Sequence, residues 1–199
     1  MVQTLDTLRE TASQTAGPYV HIGLMPGWAG NPGMYDTELG QTPAGQSARG
    51  ERIEITGAVH DGTGAVMRDA LIESWQADAA GLYPGQDGAD PGVSGFGRFA
   101  ADPETGLFTL RTIKPGSVAL PDGRVQSPHI ALWIVARGIN IGLMTRIYFD
   151  DADRDGDPVL SRIEQRHRVD TLIARPEGDG RWRFDIRLQG EGETVFLDV

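Results

Sequence analysis

The sequence predicts a mainly β protein: a single antiparallel β-sandwich of about eight strands with long loops, an N-terminal arm and one or two short helices. Three observations carry this expectation. Short apolar segments alternate with polar positions at the two-residue period of strands. The 27 glycines and 12 prolines are spread along the chain, punctuating those segments as turns must. With 39% hydrophobic and 23% charged residues, a 199-residue chain can build one core, since chains of this size bury roughly 70% of their unfolded surface.

Residues 1–50 read as the arm. A short helix is expected around Leu5 and Leu8, and QTAGPYVHIGLMPGWAGNPG then lacks periodicity while carrying Tyr19 and Trp28. Aromatic side chains in an irregular segment need a surface to cover them, so this arm is expected to pack on a partner chain. Residues 51–199 read as the sandwich domain. RIEITGAV alternates cleanly, HDGTG turns the chain, and AVMRDALIESWQA supplies a second strand. GLYPGQDGADPGVSGFG, at 81–97, has no periodicity and reads as a loop. After the DPETG turn, GLFTLRTI alternates again. HIALWIVARG, at 129–138, is nearly continuously apolar, as a central strand covered on both faces must be, and LMTRIYF follows it. PVLSRIEQ puts proline in a first helical turn with Val159, Leu160 and Ile163 on one face, which predicts a short helix. Near the end, RWRFDIRLQ aims Trp182, Phe184, Ile186 and Leu188 one way and Arg183, Asp185 and Arg187 the other.

Charge and composition exclude several classes of function. With 18 basic and 28 acidic residues the formal net charge is −10, the wrong sign for nucleic acid or anionic membrane. Cysteine is absent, which removes disulfides, thiol nucleophiles and cysteine metal sites, permits a reducing compartment and makes a cytoplasmic location the expectation. No window approaches the ~20 apolar residues of a membrane span.

Among the motifs, DADRDGDPVLSR matches the first half of a calcium loop, but its twelfth position is Arg162 and a strand precedes it, so it reads as a solvated acidic turn. His21, His60, His129 and His167 are too far apart in sequence to share a local metal-binding face. His129, at the entry to the apolar strand, reads as a hydrogen-bonded core histidine. No nucleophile elbow or phosphate loop is present. Arg137 ends that same strand before Gly138, where a charged fork serves equally as a salt-bridged rim residue or as the edge of a site.

Taken together, SQTAGPYVHIG (13–23), DALIESWQADAAGLY (69–83), LRTIKPG (110–116), SPHIALWIVARGI (127–139) and FDIRLQGEGETVFLDV (184–199) resemble the intradiol ring-cleavage dioxygenases. The resemblance runs in order along nearly the whole chain. It implies a sandwich fold, αβ protomers in a larger symmetric assembly, and cleavage of protocatechuate by O2 to 3-carboxy-cis,cis-muconate in the β-ketoadipate route of aromatic catabolism. It also implies a ferric iron, held in the family's catalytic chain by two tyrosines and by two histidines one residue apart. Here the histidine pair is reduced to His129 and Ala131, and Val118 stands two residues after the KPG turn where the catalytic chain has a tyrosine. Gln126 replaces an arginine three residues before the first histidine, and Tyr83 matches a non-ligand position. Ferric iron requires anionic oxygen donors, so the resemblance implies an iron-free chain whose Fe(III) sits in the partner beta chain. It further implies that Thr15, Pro18, Tyr19 and Arg137 wall the partner's pocket and bind substrate, with no catalytic residue of this chain's own. A stand-alone prealbumin-like binding module is the rival reading, since the central strand pattern would suit one. A self-sufficient iron enzyme using Tyr83 and His129 is a third, and it lacks ligands.

Overall fold

The computed structural model describes residues 15–198, so the helix expected around Leu5 and Leu8 lies outside the described residues. One short helix, α1 (Pro18–Leu24), precedes the strands. These are β1 (Arg52–His60), β2 (Leu71–Gln76), β3 (Phe96–Ala100), β4 (Leu107–Ile113), β5 (Val118–Ala119), β6 (Val125–Gln126), β7 (His129–Val135), β8 (Leu143–Phe149), β9 (Ile173–Gly178), β10 (Arg181–Arg183) and β11 (Ile186–Arg187). The main sheet runs β11-β1-β10-β9-β8-β7-β2-β3, with β4 also on β1, while β5 and β6 form a separate small hairpin. No helix among the described residues is long and apolar enough to cross a membrane.

The mainly β architecture agrees with the sequence pattern, but the sheet is mixed rather than purely antiparallel. β1 runs parallel to β10 and to β11, and β8 runs parallel to β9. After β8 the chain crosses over through the acidic loop and two 3-10 segments, Leu160–Arg162 and Arg166–Leu172, and a crossover returns a strand in the same direction where a tight turn would reverse it. The helix expected in PVLSRIEQ is only one of those 3-10 turns. The Asp157 carboxylate accepts from the amides of Val159 and Leu160 and starts the turn, and Ile163 is already extended. Four strands escaped the periodicity reading: β5 and β6 are only two residues each, β3 overlaps the glycine-rich loop segment, and β9 contains Pro176, which argues against a strand when only sequence is considered.

β9 joins β8 to β10 and so connects two halves that face each other across one core. Ile53, Ile55, Phe108 and Leu110 come from the β1–β4 half, and Ile72, Ile130, Leu132, Ile134 and Ile147 from the β2–β7–β8 half. Gln76 ties the halves from inside: it is fully buried, its Oε1 accepts from Thr112 Oγ1 at 2.7 Å, and its Nε2 donates to the Ile113 carbonyl at 3.0 Å. The described part of the arm lies along its own sandwich. Trp28 Nε1 donates to the Ala101 carbonyl at 3.0 Å, and the Arg98 amide donates to the Gly40 carbonyl.

At Gly57 of β1 the layers leave no room for a side chain. A Cβ there would meet the Phe184 carbonyl oxygen at 1.8 Å and Phe108 Cζ at 2.6 Å. Gly57→Ala should therefore cost about 2–4 kcal/mol in urea unfolding, whereas Gly23→Ala, in open space on α1, should change stability by less than about 1 kcal/mol. Equal effects of the two substitutions would contradict this packing.

Candidate functional site

A cleft of about 530 Å3 opens where the arm crosses the end of β7. Its walls are Ala16, Gly17, Pro18, His21, Ile22, Trp28, Ala29, Asp69 and Arg137. Pro18 occupies the first turn of α1, where its missing N–H is no loss, and α1 turns His21 inward so that its ring packs 4.4 Å from Trp28. Burial lowers the His21 pKa, and the nearby Asp69 charge opposes that shift. Thr15 fastens the arm to the turn after β7: its Oγ1 accepts from the Gly138 amide at 2.7 Å and donates to the Ala136 carbonyl at 3.5 Å.

Arg137 follows the buried Ala136 and emerges with its side chain 77% exposed, its Nε 3.3 Å from Asp69 Oδ2. It lies over a largely apolar cleft and can receive an anion through its remaining N–H groups. Of the residues singled out in the sequence, Pro18 and Arg137 line the cleft and Thr15 fixes its rim. Tyr19 is not among the residues lining the cleft: it is 86% exposed on α1. His21, Trp28 and Asp69 were missed. Asp69 left no signal in the sequence: the structure pairs Leu71 with Val135, and two further residues on each strand bring Asp69 opposite Arg137.

A second polar cluster surrounds His129 at the other end of β7. His129 Nδ1 donates to the Ser127 carbonyl at 2.8 Å, since a carbonyl only accepts, and Nε2 is left to accept from Tyr83 OH at 3.3 Å. Ala131 pairs with Trp75 of β2 and with Arg146 of β8. Arg146 Nη1 donates to Gln126 Oε1 at 2.6 Å and to Tyr148 OH at 3.4 Å. Burial and Arg146 together push the His129 pKa down to about 4, and burial raises the phenol of Tyr148 to about 12 and that of Tyr83 above its usual value.

A family model described as a dioxygenase matches residues 25–190. The chain is 50% identical over 199 residues to the protocatechuate 3,4-dioxygenase alpha chain of Pseudomonas putida, covering 98% of each. It belongs to the intradiol ring-cleavage dioxygenase family. It is also 35% identical over 169 residues to the protocatechuate 3,4-dioxygenase beta chain of Burkholderia cepacia, covering 73% of this chain and 67% of that one. The fold matches the intradiol ring-cleavage dioxygenase of Tetranychus urticae with a TM-score of 0.58 at 19% identity, over 78% of this chain and 90% of that one.

Intradiol dioxygenases use iron, and the His129 cluster does not fit that ion. Val118 and Ala131 offer no donor, and the remaining imidazole nitrogen already accepts from Tyr83. Both phenols are held protonated, and the Arg146 guanidinium occupies the neighbourhood where a trivalent cation would need negative charge.

The neutral, buried His129 makes stability depend on pH. Its folded pKa lies below the ordinary 6.5, so the unfolded chain binds the proton first as pH falls. Its contribution is complete above pH 6.5 and is lost between 6.5 and about 4, by about 3 kcal/mol. His129→Asn should flatten that limb of a urea stability–pH curve, and an unchanged slope would show that another group carries it.

Proposed function

We propose that this chain is the iron-free alpha subunit of a protocatechuate 3,4-dioxygenase, one wall of a pocket whose Fe(III) is held by the beta chain. The observation that carries the reading is the cleft itself. An exposed arginine, an apolar floor and the TAGP segment of the arm, residues 15–18, converge on one edge of a chain whose own His129 cluster does not fit the metal. The iron supplies the activation of catechol and O2 for cleavage between the two hydroxyl-bearing carbons. This chain's residues bind and orient. Arg137 takes the ring carboxylate of protocatechuate, which a protein of net charge −10 repels at long range. Pro18 and the Thr15 tie shape and hold the rim, and Tyr19, exposed on α1, faces the partner instead of this chain's cleft.

In this reading residues 1–50 serve as the arm against the beta chain and residues 51–199 as the sandwich, with αβ protomers assembled into a symmetric particle in the cytoplasm. The exposed Tyr19, Met34, Tyr35 and Leu39 along the arm support a partner surface, which a stand-alone binding module would not need.

Expression with and without the beta chain tests the assignment. Alone, the chain should be colourless and self-associating, and the co-expressed complex should carry iron and cleave protocatechuate. A tyrosinate-to-iron band in the isolated chain, lost on Tyr83→Phe, would overturn the assignment. In the complex, Arg137→Ala should lower kcat/KM for protocatechuate by roughly 10- to 100-fold, mostly through KM. Catechol, without a carboxylate, should lose far less, and Arg137→Lys should fall between, keeping the charge without the planar fork. Equal losses on both substrates would make Arg137 a rim residue.

A further inference from the structure

Asp69 has no part in the reading above, yet it forms the only ion pair that Arg137 makes among the described residues. Its position is set by the sheet. The β2–β7 ladder ends at Leu71 and Val135, and the same antiparallel count continued outward sets Asp69 opposite Arg137. Both fall on the outer face, the one the arm crosses. The contact involves Arg137 Nε and Asp69 Oδ2 at 3.3 Å. A guanidinium engaged along its Nε edge still presents its Nη end, the fork that matches a carboxylate.

The other carboxylate oxygen is informative too. Asp69 Oδ1 is buried with no hydrogen-bond partner, and so is His21 Nε2, which lines the same cleft. A buried, unpaired carboxylate oxygen is destabilising, so a residue serving only the fold would be expected to have both oxygens satisfied. Asp69 is instead held at the cleft wall with one oxygen on the arginine and the other uncommitted.

We infer that Asp69 is a positioning residue, which holds the Nε edge of Arg137 so that its Nη fork faces the substrate carboxylate in the shared pocket. The inference rests on the proposed role of Arg137. Two effects of Asp69 oppose each other, and their balance sets the sign of the test. Its negative charge repels an incoming carboxylate. Against that, an exposed arginine loses rotamer freedom when it captures an anion, and a side chain already tethered loses less. Docking of the partner removes water from the cleft, strengthening the tether while the substrate meets the opposite end of the guanidinium. Positioning is the larger effect, because the repelling charge is already paired with the arginine that it orients.

The experiment uses the co-expressed αβ complex. Asp69→Asn should raise KM for protocatechuate about three- to tenfold while kcat and the KM for catechol each move less than about twofold. Asp69→Glu, which keeps the carboxylate, should recover at least part of the loss. Added to Arg137→Ala, Asp69→Asn should have no further effect, since a tether without its arginine has nothing to aim. An unchanged or lowered KM in Asp69→Asn means that the carboxylate competes with substrate, and the inference falls. It falls as well if the variant no longer assembles with the beta chain, because Asp69 is then a structural residue. Arg137→Ala, measured alongside, separates the two levels. If alanine fails to distinguish protocatechuate from catechol, the proposed role of Arg137 fails and takes this inference with it. If alanine distinguishes them and Asp69→Asn does not, only the positioning role is wrong.

Discussion

The pairing of β2 with β7 is the constraint on which the rest of this structure depends. Its register sends Ile72, Ser74 and Gln76 inward beside Ile134, Leu132 and Ile130, and sends Glu73 and Trp75 outward beside Trp133 and Ala131. A slip of one residue would turn every core side chain to the outer face, so burial of the isoleucines specifies the register strongly. The groups of the candidate site inherit their places from it. Beyond one end of the ladder lie Asp69 and Arg137. At the other end Gln76 reaches Thr112 and Ile113 across the core and locks this half of the sandwich to the β1–β4 half.

The two polar clusters on β7 show how one strand can present opposite chemistries. At its end, Arg137 leaves the core where the chain enters a glycine turn with positive φ, so its guanidinium stays in water. At its start, His129 is enclosed between Ser127, Tyr83 and Tyr148, and the Arg146 charge opposes protonation of its ring. One end can capture an anion. The other is a closed network in which Tyr83 OH donates to the imidazole, Tyr148 OH accepts from Arg146 and donates to Asp157, and Asp157 also accepts from the Ser127 amide.

Much of the fold was legible in the sequence because burial writes its period directly into the side chains. The alternation in 52–59 and 107–113 and the apolar run from His129 gave strands where strands are found, whereas RWRFDIRLQ, read as one strand, is two short ones, β10 and β11. Parallel pairing was not legible, because alternation specifies faces and not neighbours, and a crossover through 3-10 turns has no distinctive period. β9 was hidden by Pro176, and the helix expected at 158–165 is a single 3-10 turn that Asp157 starts and the extended Ile163 ends.

The sequence by itself determined the class of fold, the acidic net charge, and the presence of an arginine at the mouth of a buried strand. These are properties of residue identity and local spacing. Only the tertiary structure decided that Arg137 is met by Asp69, that the arm folds back so that Pro18, His21 and Trp28 wall a cleft over it, and that Tyr19 is exposed outside that cleft. Each of those facts joins residues distant in sequence. Such proximity is produced by strand register and by the path of an irregular arm, and neither leaves a periodic trace in the chain that carries it.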